Sequence, residues 1–166
     1  MSPLNTSPRP RAREQTEGRS PETAPKRVVS ATPHDPGFDC VFLSSSEREF
    51  QTATRLLEPP CIRIHHAALL DRADSLLDAT GALVLLSDMA FPGGSWTDAK
   101  EMLAKLHPRV ALVLALENAD ERLWVDVLEQ GVYDVVLKPF ASDELRRILE
   151  NARAHAQWNG RAVKFA

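Results

Sequence analysis

The 166 residues of this chain suffice for one domain and a tail but not for a second catalytic domain, since compact domains mostly take about 100–200 residues. With 43% hydrophobic and 26% charged residues the composition is that of a globular protein, and no apolar run approaches the roughly 18 residues of a membrane span. A formal net charge of −3 leaves no electrostatic footprint for gripping nucleic acid. Two cysteines, Cys40 and Cys61, are too few for a disulfide framework, and the opening MSPLNTSPRPRAR lacks the apolar core of a secretion signal, so a reducing cytoplasm is the expected compartment.

Residues 1–36 hold seven of the twelve prolines, six Lys/Arg and four Asp/Glu without hydrophobic periodicity, which predicts a disordered Pro/Arg/Ser-rich tail. The remaining 14 Lys/Arg and 19 Asp/Glu give the domain a charge of −5 against +2 for the tail. The domain is predicted over 37–157, followed by a short C-terminal tail at 158–166. Within it, β-rich runs alternate with amphipathic ones. Strands are predicted at CVFL (40–43), CIRIH (61–65), ALVLL (82–86), VALVLA (110–115) and YDVVL (133–137).

The first helix opens at Ser46, where S-E-R-E places Glu49 three residues past a serine N-cap, and turns Phe50, Ala53, Leu56 and Leu57 inward before Pro59-Pro60. The second runs from about 68 to 79 with Leu69, Ala73, Leu76 and Leu77 inward and Gly81 as its stop; the third spans roughly 97–106 with Met102, Leu103 and Leu106. The fourth is capped near Asn118 or Asp120, buries Leu123, Trp124, Val127 and Leu128, and stops at Gly131. The fifth starts at Ser142, with Asp143 and Glu144 at its positive end and Leu145, Ile148, Leu149 and Ala152 as its inner stripe.

Strict βα alternation implies a parallel sheet with right-handed crossovers and helices on both faces, a doubly wound three-layer α/β sandwich. The third and fourth strands are apolar throughout, as central strands are. In the second, Ile62 and Ile64 alternate with Arg63 and His65, as at an edge, which favours the order 2-1-3-4-5. In that order a site forms at the carboxyl ends of strands one, three and four, where the topology reverses. The third strand delivers Asp88 to that end; the fifth delivers Lys138-Pro139-Phe140, with a proline suited to a cis bond.

These features carry a resemblance. D-x-x-F-P at 88–92, G-V-Y-D-V-V-L-K-P-F at 131–140 and the five-fold βα order resemble the receiver domain of bacterial response regulators over about residues 38–156. The resemblance implies the CheY-like fold and phosphoryl transfer to an Asp after strand three. It also implies Mg²⁺ held by that Asp and an acidic pair after strand one, a Lys after strand five, and a switch made of a Ser or Thr after strand four and an aromatic in strand five. A carboxylate attacking an anionic phosphoryl group needs such cations to neutralise the charge that accumulates. Carried over by position, Asp88 matches the phosphoacceptor and Lys138 the lysine. The acidic pair falls on Ser44 and Ser45, with Glu47 too late and facing outward. The hydroxyl position falls on Leu116 or Ala115, and the aromatic on Val135, with Tyr133 on the same strand face by period two.

Mg²⁺ prefers several hard oxygen ligands, and one carboxylate with serine hydroxyls makes a poor site. The expectation is therefore a pseudo-receiver: no cofactor, no catalysis, and a stand-alone module working through protein contact, with Asp88 and Lys138 as an ion pair. The partner is a histidine kinase, a regulator or a second copy, met through the fourth helix, fifth strand and fifth helix at Trp124, Asp134 and Arg147. The alternative is a working phosphoacceptor at Asp88 that uses Mg²⁺; a flavodoxin-like small-ligand binder is a third option on the same fold. Elsewhere the bland explanations win. Ser44-Ser45-Ser46 lacks a nucleophile turn, Gly93-Gly94 lacks phosphate-loop spacing, His65 and His66 point to opposite faces, and Cys40 and Cys61 read as buried small apolar residues.

Overall fold

The computed structural model describes residues 37–58 and 61–164; the tail expected at 1–36 lies outside them. In chain order the elements are β1 Phe38–Leu43, α1 Glu47–Leu56, β2 Ile62–Ala67, α2 Leu70–Thr80, β3 Val84–Asp88, β4 Ala90–Phe91, β5 Gly94–Ser95, α3 Trp96–Leu106, β6 Ala111–Leu116, α4 Glu121–Glu129, β7 Asp134–Leu137 and α5 Ser142–Lys164. The main sheet is parallel with the order β2-β1-β3-β6-β7, so the predicted edge strand and topology hold.

Alternation along the strands divides the core into two layers. Val41, Leu43, Leu85, Leu112, Leu114 and Val135 pack toward α2, α3 and α4, while Cys40, Phe42, Val84, Leu86, Val113 and Val136 pack toward α1 and α5. Central strands thereby bury both faces, which is why they contain no polar alternation. Burial of this kind is worth about 25 cal/mol per Å² of apolar surface, the main favourable contribution to the fold.

β4 and β5 form a small hairpin that the sequence showed only as a turn. Pro92 supplies the fixed φ and Gly93 the left-handed φ of +87° at the tip. The hairpin leads straight into α3, whose first residue, Trp96, is buried.

Several expected positions differ. Leu69, Leu106 and Leu128 are 53%, 59% and 38% exposed, because Leu69 caps α2 from outside and the other two close the last turns of α3 and α4, beyond the reach of the sheet. Helix α5 continues to Lys164, so residues 158–164 extend it rather than form a separate tail; Trp158 on this extension is 69% exposed. Cys40 is fully buried, and burial pushes its thiol up to about 12, whereas Cys61 is exposed, outside the start of β2. No helix among the described residues is long and apolar enough to cross a membrane.

Candidate functional site

A cleft of about 570 Å³ opens at the carboxyl ends of the strands, lined in part by Glu49, Asp88, Leu116, Glu117, Asp120 and Lys138. Asp88 is the last residue of β3, opposite Ala115 of β6 in the ladder, and only 8% exposed. Lys138 directly follows β7. Its backbone N–H donates to the Leu116 carbonyl at 2.8 Å, which fixes the stem of the side chain, and the Lys138–Pro139 peptide is cis.

The Lys138 ammonium joins two carboxylates. Nζ lies 2.7 Å from Asp88 Oδ1 and donates to Glu49 Oε2 at 2.7 Å. Side-chain exposures of 13% for Lys138, 11% for Asp88 and 33% for Glu49 put the three in a partly dry environment where charge attraction is only weakly screened. Burial works against the ammonium's charge, but the two carboxylates outweigh it and hold Lys138 above the ordinary lysine range. Asp88 Oδ1 is sealed from water; it meets Nζ as an ion pair, off the line of a good hydrogen bond, and no other donor among the described residues reaches it.

Glu49 is the residue that sequence reasoning missed. The S-x-x-E spacing assigned it to a capping box, and half of that box is present, since the Ser46 hydroxyl accepts from the Glu49 N–H at 3.2 Å. The other half is not. The Ser46 N–H donates instead to Ser44 Oγ at 3.0 Å, which releases the Glu49 carboxylate to turn into the cleft. The only sequence signal was that α1, starting after β1, must run past the same end of the sheet as Lys138.

The remaining predicted positions fall as follows. Ser44 is buried, its hydroxyl engaged by Ser46, while Ser45 is exposed at the rim. Ala115 and Leu116 end β6 and both line the cleft, without a hydroxyl. Glu47 faces out, as expected, and pairs with His66 Nδ1 at 3.0 Å. Val135 is fully buried on the α2–α4 side. Tyr133 is not on the same face as Val135, a correction: it precedes β7, so period two does not reach it, and it packs on the α5 side with its ring 4.8 Å from that of His155. Trp124 on α4 is half-buried against the core, Asp134 accepts from the Val135 N–H at 2.8 Å, and Arg147 on α5 is exposed; none of the three lines the cleft. His65 and His66 are engaged separately, His65 with Asp39 at 2.8 Å and His66 with the Ser44 carbonyl at 2.9 Å.

No protein-family model matches the chain. Among curated proteins it is similar to the C4-dicarboxylate transport transcriptional regulatory protein DctD of Rhizobium meliloti (strain 1021), 28% identical over 114 residues, which cover 68% of this chain and 24% of DctD. The chain thus spans about a quarter of that relative's length. Among solved structures, the signal receiver domain of an HD domain-containing protein from Pseudomonas fluorescens Pf-5 matches with a TM-score of 0.66 at 21% identity, over 75% of this chain and 93% of that one. The beryllofluoride-activated NtrC4 receiver domain dimer matches with a TM-score of 0.64 at 15% identity, over 71% and 98%. The described residues therefore share the CheY-like fold of the receiver domains among these structures.

Proposed function

We propose that this receiver-like chain signals through protein contact without phosphorylation, the acids of its pocket paired to an internal cation. The observation that carries this is the position of Lys138 Nζ, 2.7 Å from both Asp88 and Glu49. A receiver that phosphorylates itself needs Mg²⁺, and the donor set does not fit that ion. The first of the two acidic-pair positions is a serine whose hydroxyl is already bonded to Ser46 N–H, and the second is an exposed serine at the rim. Asp88 and Glu49, the cleft carboxylates within reach of Lys138, share its ammonium, so a dication entering there meets a resident positive charge at close range. Of the two further acids that line the cleft between β6 and α4, Asp120 is engaged in capping α4 through the N–H groups of Arg122 and Leu123 at 3.0 and 3.3 Å, and Glu117 is exposed.

The missing switch supports the same conclusion. With Ala115 and Leu116 at the hydroxyl position and Val135 fully buried at the aromatic one, a phosphoryl group on Asp88 would find no side chain to reposition. Output then rests on surface contact with a kinase, a regulator or a second copy. The contact face is that of α4, β7 and α5, with Trp124, Asp134 and Arg147; on α4, Val125 and Leu128 add apolar area at 49% and 38% exposure.

Incubation of the full chain with a small phosphodonor and Mg²⁺, followed by intact mass measurement, tests the proposal. The expected result is an unchanged mass. A gain of one phosphoryl group that disappears in Asp88→Asn would establish the alternative, a working phosphoacceptor.

A further inference from the structure

At the opposite end of the sheet from the cleft, the segment between α3 and β6 carries His107, whose side chain is 10% exposed. Both of its ring nitrogens face carboxylates: Nε2 lies 2.6 Å from Asp74 Oδ1 and Nδ1 lies 3.9 Å from Asp78 Oδ1. Asp74 and Asp78 are four residues apart on α2 and so share one helix face. One ligand atom from each of the three residues lies within 4.8 Å of the others. Among the described residues no Lys or Arg forms an ion pair with either aspartate. A neutral imidazole carries a single N–H, so it can satisfy one of the two acids and must turn a lone pair toward the other.

We propose that Asp74, Asp78 and His107 bind a divalent transition metal of the zinc class. Zinc takes nitrogen and carboxylate oxygen at about 2.0–2.1 Å, which sets tetrahedral ligands roughly 3.4 Å apart. One ion takes a single ring nitrogen of His107; the ligand atoms of the three residues lie within 4.8 Å of one another, so no gap has to close by more than about 1.4 Å to reach that spacing. Asp74 and Asp78 have the freedom to do so, with side chains 35% and 76% exposed, while the buried imidazole stays fixed. Three protein ligands leave the fourth position to water. The imidazole nitrogen selects zinc-class ions over Mg²⁺, which takes oxygen. Occupancy would clip α2 to the end of α3, without reference to the chemistry at Asp88.

Zinc titration by calorimetry and thermal melting, on the full chain carrying Cys61→Ser to remove the exposed thiol as a competitor, tests the site. Saturable uptake of zinc with a rise in melting temperature is expected, unaffected by excess Mg²⁺. Outer-sphere partners alone are worth about 10–100-fold in metal affinity, so loss of a direct ligand in Asp78→Asn should weaken binding at least tenfold and abolish the rise. Asp78 is exposed and makes no close contact, so that variant keeps its fold; Asp74→Asn provides a second. Absence of saturable uptake, or equal zinc affinity with and without Asp78→Asn, would overturn the proposal.

Discussion

Replacing Lys138 by Met is expected to lower the unfolding free energy at pH 7 by about 3 kcal/mol, read from urea denaturation. Removing one partner of a buried pair leaves an uncompensated charge and costs about 3–5 kcal/mol; the lower end applies because Glu49 is one-third exposed and can reach water. The loss comes from the stranded carboxylates rather than from the lysine's packing, so Lys138→Met combined with Asp88→Asn should recover most of it. The pH dependence follows from the raised pKa of Lys138. A group held above its unfolded value contributes fully below about pH 10.4 and loses that contribution as pH climbs through the folded value. The stability gap between wild type and Lys138→Met should therefore narrow above pH 10.4 and stay constant from pH 7 to 10. A gap below about 1 kcal/mol at pH 7, the range of a surface ion pair, would contradict the clamp.

Phe42→Ala should cost about 3–5 kcal/mol, the range for removing a buried aromatic ring without full collapse of the void. Phe42 has no exposed surface, and its ring meets that of Phe140 edge-on at a centroid distance of 6.0 Å and an interplanar angle of 63°. Phe140 stands two residues beyond Lys138, so the same ring that fills the layer under α1 and α5 also supports the segment that delivers the ammonium to the cleft. The loss should therefore appear in the urea midpoint with an unchanged slope. Milder destabilisation is expected from Phe140→Leu, because Phe140 is only half-buried. A cost under about 1.5 kcal/mol for Phe42→Ala would mean that the layer collapses around the gap.

The fold was legible because its signals are local and repeated. Five β-rich runs, the apolar third and fourth strands and the alternating second one gave both the class and the strand order, and Asp88 and Lys138 were found by their places at strand ends. Glu49 was hidden by a competing local explanation. Its spacing from Ser46 suits a cap, and only the diversion of the Ser46 N–H to Ser44 frees its carboxylate for the cleft. Which way a helical side chain turns relative to a distant strand end is decided by tertiary packing, which periodicity does not encode. The same limit explains Leu106 and Leu128, which keep helical phase but lie in last turns, and Tyr133, one residue short of the strand whose period was applied to it.

Magnesium titration of the full chain by calorimetry tests the central claim most directly. With the Lys138 ammonium already paired to both Asp88 and Glu49, no saturable heat of binding is expected at physiological concentrations of the ion. Tight one-to-one uptake of Mg²⁺ that vanishes in Asp88→Asn would show that the ammonium yields to the metal and would contradict the account.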